Sequence, residues 1–280
     1  MVNGGVGGHS GIDIDRGHAN AIKVLGRVLR EALVLAPFRL VSLHGGHSWN
    51  AIPREADAMC SVPSEQEDPF RRAVAAAAAT VRDAYRTTDS RVDVAVGDAA
   101  DAAEAWTVEG TRALLDLLPV VPSGPLATSQ DFPGLVETST SVGEASSEAE
   151  RFELHSLTRS SNASALPEVI AALDAAARLT GGRLEVGQAD PGWQPNLDSA
   201  ALAAARHVYE RLFASTPRIS AVHAWLETAV IGEKVPGLDM VAFGPQIEAP
   251  HSPDERVSIP SVDRFWHLLT ALINELSAAR

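Results

Sequence analysis

The sequence predicts an α/β protein in two parts: an α+β domain of two fused ferredoxin-like βαββαβ units over residues 1–188, and a fraction of a larger α/β domain over residues 189–280. Three observations carry this reading. Short alternating apolar runs interleave with helical stripes in the order strand, helix, strand, strand, helix, strand. Much of that order recurs after residue 107. The stretch Asp190-Pro191-Gly192-Trp193-Gln194-Pro195 then reads as a linker to a segment with long helices and few strands.

Residues 2–15 read as the first strand. Here Asn3-Gly4-Gly5-Val6-Gly7-Gly8-His9-Ser10-Gly11 sets five glycines around one histidine and runs into Ile12-Asp13-Ile14-Asp15. Glycine lets a backbone bend and press close to a ligand, so His9 can donate a hydrogen bond into a pocket; the same residues also suit a glycine-rich strand with an incidental histidine. A helix over 18–35 follows from the stripe Ile22, Leu25, Leu29, Ala32 and Leu33, and Pro37 stops it. Strands 38–43 and 50–61 flank the turn His44-Gly45-Gly46-His47. Ser64-Glu65-Gln66-Glu67 has the form of a capping box, opening a helix striped by Phe70, Val74, Ala77, Val81 and Tyr85. Val92, Val94 and Val96 alternate as a strand over 91–97.

The second half offers a helix over 107–118, a Pro/Gly/Ser-rich loop over 119–133, strands 136–142 and 151–159, a helix over 166–179 ended by Gly181-Gly182, and a strand over 183–186. Strand 91–97 is counted in both halves. Past the linker come a helix over 197–214, short strands 219–223 and 240–243, and a last helix carrying Val262, Phe265, Leu269, Leu272 and Leu276 on one face. Such a thin sheet under two long helices, and a first strand that starts almost at Met1, give the expectation that the chain is the C-terminal part of a longer protein.

Composition narrows the function classes. With 280 residues, 45% of them hydrophobic and 21% charged, the chain is an ordinary soluble globular protein. A formal charge of −13 argues against a nucleic-acid or anionic-membrane partner, and no apolar run reaches the length of a membrane span. The lone Cys60 excludes an internal disulfide and a cysteine-based zinc cluster, and it fits a reducing cytoplasm. The sequon Asn162-Ala163-Ser164 would matter only in a secreted protein.

Three further residues invite a chemical role. His251 follows Pro245 and Pro250 and precedes Asp254 and Glu255, a rigid backbone that could aim an imidazole at a metal or simply form a surface loop. Arg159, in Leu157-Thr158-Arg159-Ser160-Ser161-Asn162, can grip a carboxylate through two parallel hydrogen bonds, or stand as a solvated strand-end arginine. Asn50, before Ala51-Ile52-Pro53-Arg54-Glu55-Ala56, is a side-chain donor at a strand mouth or a turn asparagine. Other motifs fail: Ser10 lacks the second glycine of a nucleophile elbow, no Gly-Lys-Ser/Thr follows the glycines, and the glycine loop leads into Ile-Asp-Ile-Asp rather than a helix. His44 and His47 lack third and fourth ligands and read as turn residues.

Taken together the chain resembles the aminoacyl-histidine dipeptidases (Xaa-His dipeptidase, peptidase D) of the co-catalytic zinc exopeptidases. The stretches that carry the resemblance are Gly7-Gly8-His9-Ser10-Gly11-Ile12-Asp13-Ile14, Asn50-Ala51-Ile52-Pro53-Arg54-Glu55-Ala56, Arg159-Ser160-Ser161, Ile231-Gly232-Glu233-Lys234-Val235-Pro236-Gly237-Leu238-Asp239-Met240, and Phe243-Gly244-Pro245 through His251-Ser252-Pro253-Asp254-Glu255. The resemblance implies that residues 1–188 are a lid, or dimerisation-like, domain, and residues 189–280 the returning end of a catalytic domain that binds two zinc ions. It implies His251 as a zinc ligand, His9 as the donor to the oxygen of the scissile carbonyl, Arg159 as the holder of the substrate's terminal carboxylate, Asn50 as a further substrate contact, and a homodimer as the assembly.

The departures from that pattern bear on activity. The family's remaining ligands and its base are a His-x-Asp motif, a bridging Asp, a Glu-Glu pair and a further Asp; none of the nine histidines here is followed two places on by Asp, and Glu-Glu does not occur. Trp49 stands where arginine is usual before the asparagine, and His18 where arginine is usual at the start of the helix. The expectation is zinc-dependent hydrolysis of Xaa-His dipeptides such as β-alanyl-histidine by the intact cytoplasmic protein, with this chain inactive without its missing N-terminal catalytic half. The alternatives are a non-catalytic lid or assembly module and, less well matched, an aminopeptidase or deacylase.

Overall fold

The computed structural model describes residues 1–278 except 101, 103, 131, 149–150, 190, 194–195, 224–225 and 249–254. It divides into two compact units, Met1–Gln188 with Val222–Ala224, and Ala189–Ala221 with Trp225–Arg280.

The first unit begins β1 (Val2–Asn3), β2 (Gly8–His9), α1 (Ala21–Leu35), β3 (Arg39–Gly45), β4 (Ala51–Ile52), β5 (Ala56–Ser61), α2 (Glu67–Ala84) and β6 (Asp93–Val94). Strands β6, β1, β5 and β3 lie side by side and antiparallel, which is the fourth-first-third-second order of a ferredoxin-like unit. The second half supplies α3 (Val108–Val120), β7 (Gly124–Thr128), β8 (Val136–Glu148), β9 (Arg151–Ser160) and α4 (Leu166–Leu179). β8 accepts β7 and β3 along one edge and β9 along the other, so both halves share one seven-stranded sheet.

The helical stripes land where their spacing directs them. Ile22, Leu25, Leu29 and Ala32 of α1 are buried in one core with Leu40, Leu43, Phe70, Val74, Ala77, Val81, Leu115 and Leu118. Full burial of a side chain of this size is worth about 1.5–3 kcal/mol. Asn20 caps α1 by accepting from Lys23 N at 3.3 Å, and its amide donates to Val142 O at 2.7 Å. Gly26 lets α1 and α3 approach, because a Cβ there would sit 2.6 Å from Leu118 Cδ1.

Several expected elements differ. Residues 10–15 form turns rather than strand: Asp13 N donates to His9 O at 3.0 Å, and Arg16 N to Asp13 O at 3.1 Å. Their alternation is satisfied by burying Ile14 beside Ile52 and Val136 while Ile12 faces solvent. The expected strand 50–61 is split into β4 and β5. β6 shrinks to two residues at the edge of the sheet, so it is not shared with the second half. No strand forms at 183–186, whereas the proline-rich loop contains β7, whose Pro125 is tolerated on an edge. A 3-10 turn at Ser64–Gln66, with no side-chain cap, stands where the capping box was expected.

The second unit contains α5 (Ala200–Phe213), α6 (Glu227–Lys234), β10 (Ile247–Glu248), β11 (Arg256–Val257) and α7 (Ile259–Ala278). The strands expected at 219–223 and 240–243 do not form; the hairpin of β10 and β11 is the sheet among the described residues of this unit. α5 packs on α7 through Ala205, Val208, Leu268 and Leu272. The Arg264 guanidinium lies 4.3 Å from the Phe213 ring centre, and Arg211 pairs with Glu275 at 2.7 Å. No described helix is long and apolar enough to cross a membrane.

Candidate functional site

His9 lies on β2, where it pairs with Ala51 of β4, the residue after Asn50. Ser10 N donates to Asn50 O at 2.9 Å, so this short ladder holds His9 and Asn50 together. The Asn50 side chain is itself fixed, accepting from Ser48 Oγ at 2.6 Å. Arg159 stands near the end of β9, directly opposite Ser139 of β8, and opposite residues project from the same face. Gly11 links the two groups. A Cβ at Gly11 would lie 3.2 Å from Arg159 Cδ and Nε and 2.2 Å from the carbonyl oxygen of His223, so no larger residue fits between them. The fold therefore gathers His9, Asn50 and Arg159 in the first unit; His251 lies outside the described residues.

His223 is the residue that sequence reasoning missed. Val222-His223-Ala224 carries no motif and read only as the end of a short strand, yet these residues cluster with the first unit. His223 Nε2 lies 2.7 Å from Ser139 Oγ. Burial pushes its pKa down from 6.5 to about 4, the Arg159 cation and His9 push the same way, and Asp15 opposes them. The ring is thus neutral at neutral pH.

Arg159 is half-buried, and that burial lowers its guanidinium pKa from the usual value. Its Nε is enclosed with no hydrogen-bond partner among the described residues, as are Ser10 Oγ and Ser141 Oγ. A partly desolvated guanidinium is costly, and a carboxylate arriving from solvent would offset that cost through charge-assisted hydrogen bonds. The strands around it carry hydroxyls on both faces of the sheet. Thr138 and Ser160 pair through their hydroxyls at 2.8 Å, Thr140 and Thr158 likewise at 2.8 Å, and Ser139 and Ser141 are fully buried.

The remaining candidates have ordinary places. His44 sits within β3 opposite Asp57, and His47 is exposed. Trp49 is largely exposed, while His18 Nδ1 reaches Asp89 Oδ2 at 3.3 Å. No group of three or more His, Cys, Asp or Glu among the described residues could hold a metal ion. These residues alone do not fit the two-zinc site that the resemblance implies.

Residues 2–89 match the M20 peptidase dimerisation domain. The chain is 36% identical over 272 residues to the cytosol non-specific dipeptidase of Escherichia coli (strain K12), covering 97% of this chain and 56% of that protein. It superposes on the crystal structure of aminoacylhistidine dipeptidase from Vibrio alginolyticus with a TM-score of 0.88 at 34% identity, covering 98% of this chain and 56% of that one. The chain is thus related to dipeptidases over nearly all of its own length, as its motifs anticipate, and it spans a little more than half the length of these relatives.

Proposed function

We propose that the chain supplies the substrate-closing part of a cytoplasmic zinc-dependent dipeptidase acting on Xaa-His dipeptides of the β-alanyl-histidine type. In this reading residues 1–188 are the lid, residues 189–280 belong to the catalytic domain, and the chain is inactive alone. The observation that carries it is the half-buried Arg159, its enclosed Nε without a partner among the described residues, set beside the turn that presents His9. Arg159 binds the terminal carboxylate by charge-assisted hydrogen bonds, and Asn50 contacts the substrate from the mouth of β4. His9 donates to the scissile carbonyl oxygen as negative charge develops there, where a preorganised donor favours the transition state over the ground state. His251 is proposed as a zinc ligand, and the resemblance places the other ligands and the general base in motifs outside these 280 residues. Support comes from the ordered family motifs and from the dipeptidase names of both relatives.

The test uses the chain itself with β-alanyl-histidine, with and without zinc. No turnover is expected, together with weak binding that depends on the carboxylate. Losing a charge-assisted contact costs about 1.5–3 kcal/mol, so R159A, or amidation of the dipeptide's C-terminus, should weaken binding by roughly 10- to 100-fold. Clear turnover by the isolated chain overturns the partial-site reading, and equal binding of acid and amide overturns the role of Arg159. The match of residues 2–89 to a dimerisation domain favours a second reading, a non-catalytic assembly module. A homodimer by analytical ultracentrifugation that binds neither dipeptide would support that alternative.

A further inference from the structure

The turn after β2 constrains His9 at its backbone and at its ring. The His9 amide donates to Asp13 Oδ2 at 2.8 Å, and its carbonyl accepts from Asp13 N at 3.0 Å. At the ring, Nδ1 accepts from Gly11 N at 3.1 Å and from Ile12 N at 3.0 Å. A backbone amide can only donate. Two donors aimed at one ring nitrogen require that nitrogen to carry the lone pair, since a proton on Nδ1 would face two others. A neutral imidazole in this turn therefore carries its proton on Nε2.

We propose that the 9–13 turn locks His9 as the Nε2–H tautomer, and that Asp13 is the positioning residue that maintains the lock. Two glycines make the turn feasible. Gly8 has φ +142°, and a Cβ there would lie 2.8 Å from Asp13 Oδ2, so a side chain at residue 8 would push the carboxylate away. Gly11 is confined against the His223 carbonyl and Arg159, which fixes the direction of its N–H. Asp13 is held in turn by Arg16 Nε at 3.0 Å. The consequence for chemistry is one of polarity: the donor of His9 is at Nε2, and Nδ1 can neither bind a metal nor collect a proton without breaking two hydrogen bonds. This deepens the proposed role of His9, and it depends on that role only for the identity of the acceptor that Nε2–H meets.

The experiment is a long-range 1H–15N correlation spectrum of the 15N-labelled chain at neutral pH, with the His9 ring assigned by its loss in H9Q. The expected pattern is a pyridine-type Nδ1 and a pyrrole-type Nε2. D13N, which keeps an acceptor oxygen for the His9 amide, should retain that pattern. D13A should average the two nitrogens toward a tautomer mixture. A protonated Nδ1 or an averaged ring in the unmodified chain overturns the lock, whether or not any variant folds. A D13A spectrum identical to that of the parent overturns the role of Asp13. A locked ring combined with dipeptide hydrolysis in the assembled enzyme that is indifferent to H9Q would refute the oxyanion role and leave the lock standing.

Discussion

Replacing Asp89 by alanine should be the most damaging single polar change in the first unit. Its side chain is fully buried and accepts from Val6 N at 2.7 Å, Ala19 N at 3.0 Å and His18 Nδ1 at 3.3 Å, tying the glycine loop to the start of α1. Val6 is exposed enough for water to rescue part of its loss, whereas Ala19 is 1% exposed and its amide would be stranded. An unpaired buried donor costs about 1–3 kcal/mol, and with the lost contacts to Val6 and His18 the change sums to about 3–5 kcal/mol. That is a large share of the roughly 5–15 kcal/mol that holds a domain together. Urea unfolding followed by far-UV circular dichroism should show the midpoint falling by about 1–3 M. D89N should lie between, because it retains one acceptor but turns an NH2 group toward the second amide. A D89A midpoint that matches the parent would mean that solvent satisfies both amides without the carboxylate, and that Asp89 does not hold the loop to α1.

Three other outcomes are expected. G11A forces a methyl group toward the His223 carbonyl and should lower stability by about 1–3 kcal/mol and, under the proposed function, abolish dipeptide binding; unchanged binding by calorimetry would count against Gly11 as the joint of the site. His223 has a folded pKa of about 4, below the usual 6.5, so across that window the unfolded chain takes up a proton that the folded chain does not. Stability should therefore fall as pH drops from about 6.5 to 4, and the gap between the parent and H223N should narrow over that range in urea titrations; a gap independent of pH would contradict it. Burial pushes the Cys60 thiol up to about 12, so iodoacetamide at mildly alkaline pH should label the unfolded chain rapidly and the folded chain hardly at all.

What the sequence discloses depends on how far apart the cooperating residues lie along it. The α1 and α2 stripes were legible because a helix repeats its buried face every three or four residues, and the pattern survives whatever it packs against. The αββα order of the second half was legible for the same reason, but β7 was not. A five-residue edge strand containing Pro125 carries no alternation distinct from a loop, and only the long edge of β8 gives it a partner. The run Ile12-Asp13-Ile14-Asp15 misled because period-two alternation is also what a tight turn produces when one isoleucine tucks inward and Asp13 bonds back to His9.

The site divides along the same line. His9 and Asn50 stood out through local glycine and asparagine chemistry, and the β2–β4 ladder that joins them needs only a short excursion of the chain. Arg159 was legible as a cation at a strand end, but its unmatched Nε is a property of burial and not of spacing. His223 was illegible, since its partner Ser139 and its neighbour Gly11 come from distant stretches, and no local pattern encodes their meeting. Gly11 shows the same dependence on distant partners. Its place in the glycine run suggested flexibility, whereas its surroundings show the opposite use: the missing side chain lets two rigid elements touch, and its amide, directed at His9 Nδ1, helps decide which ring nitrogen carries the proton.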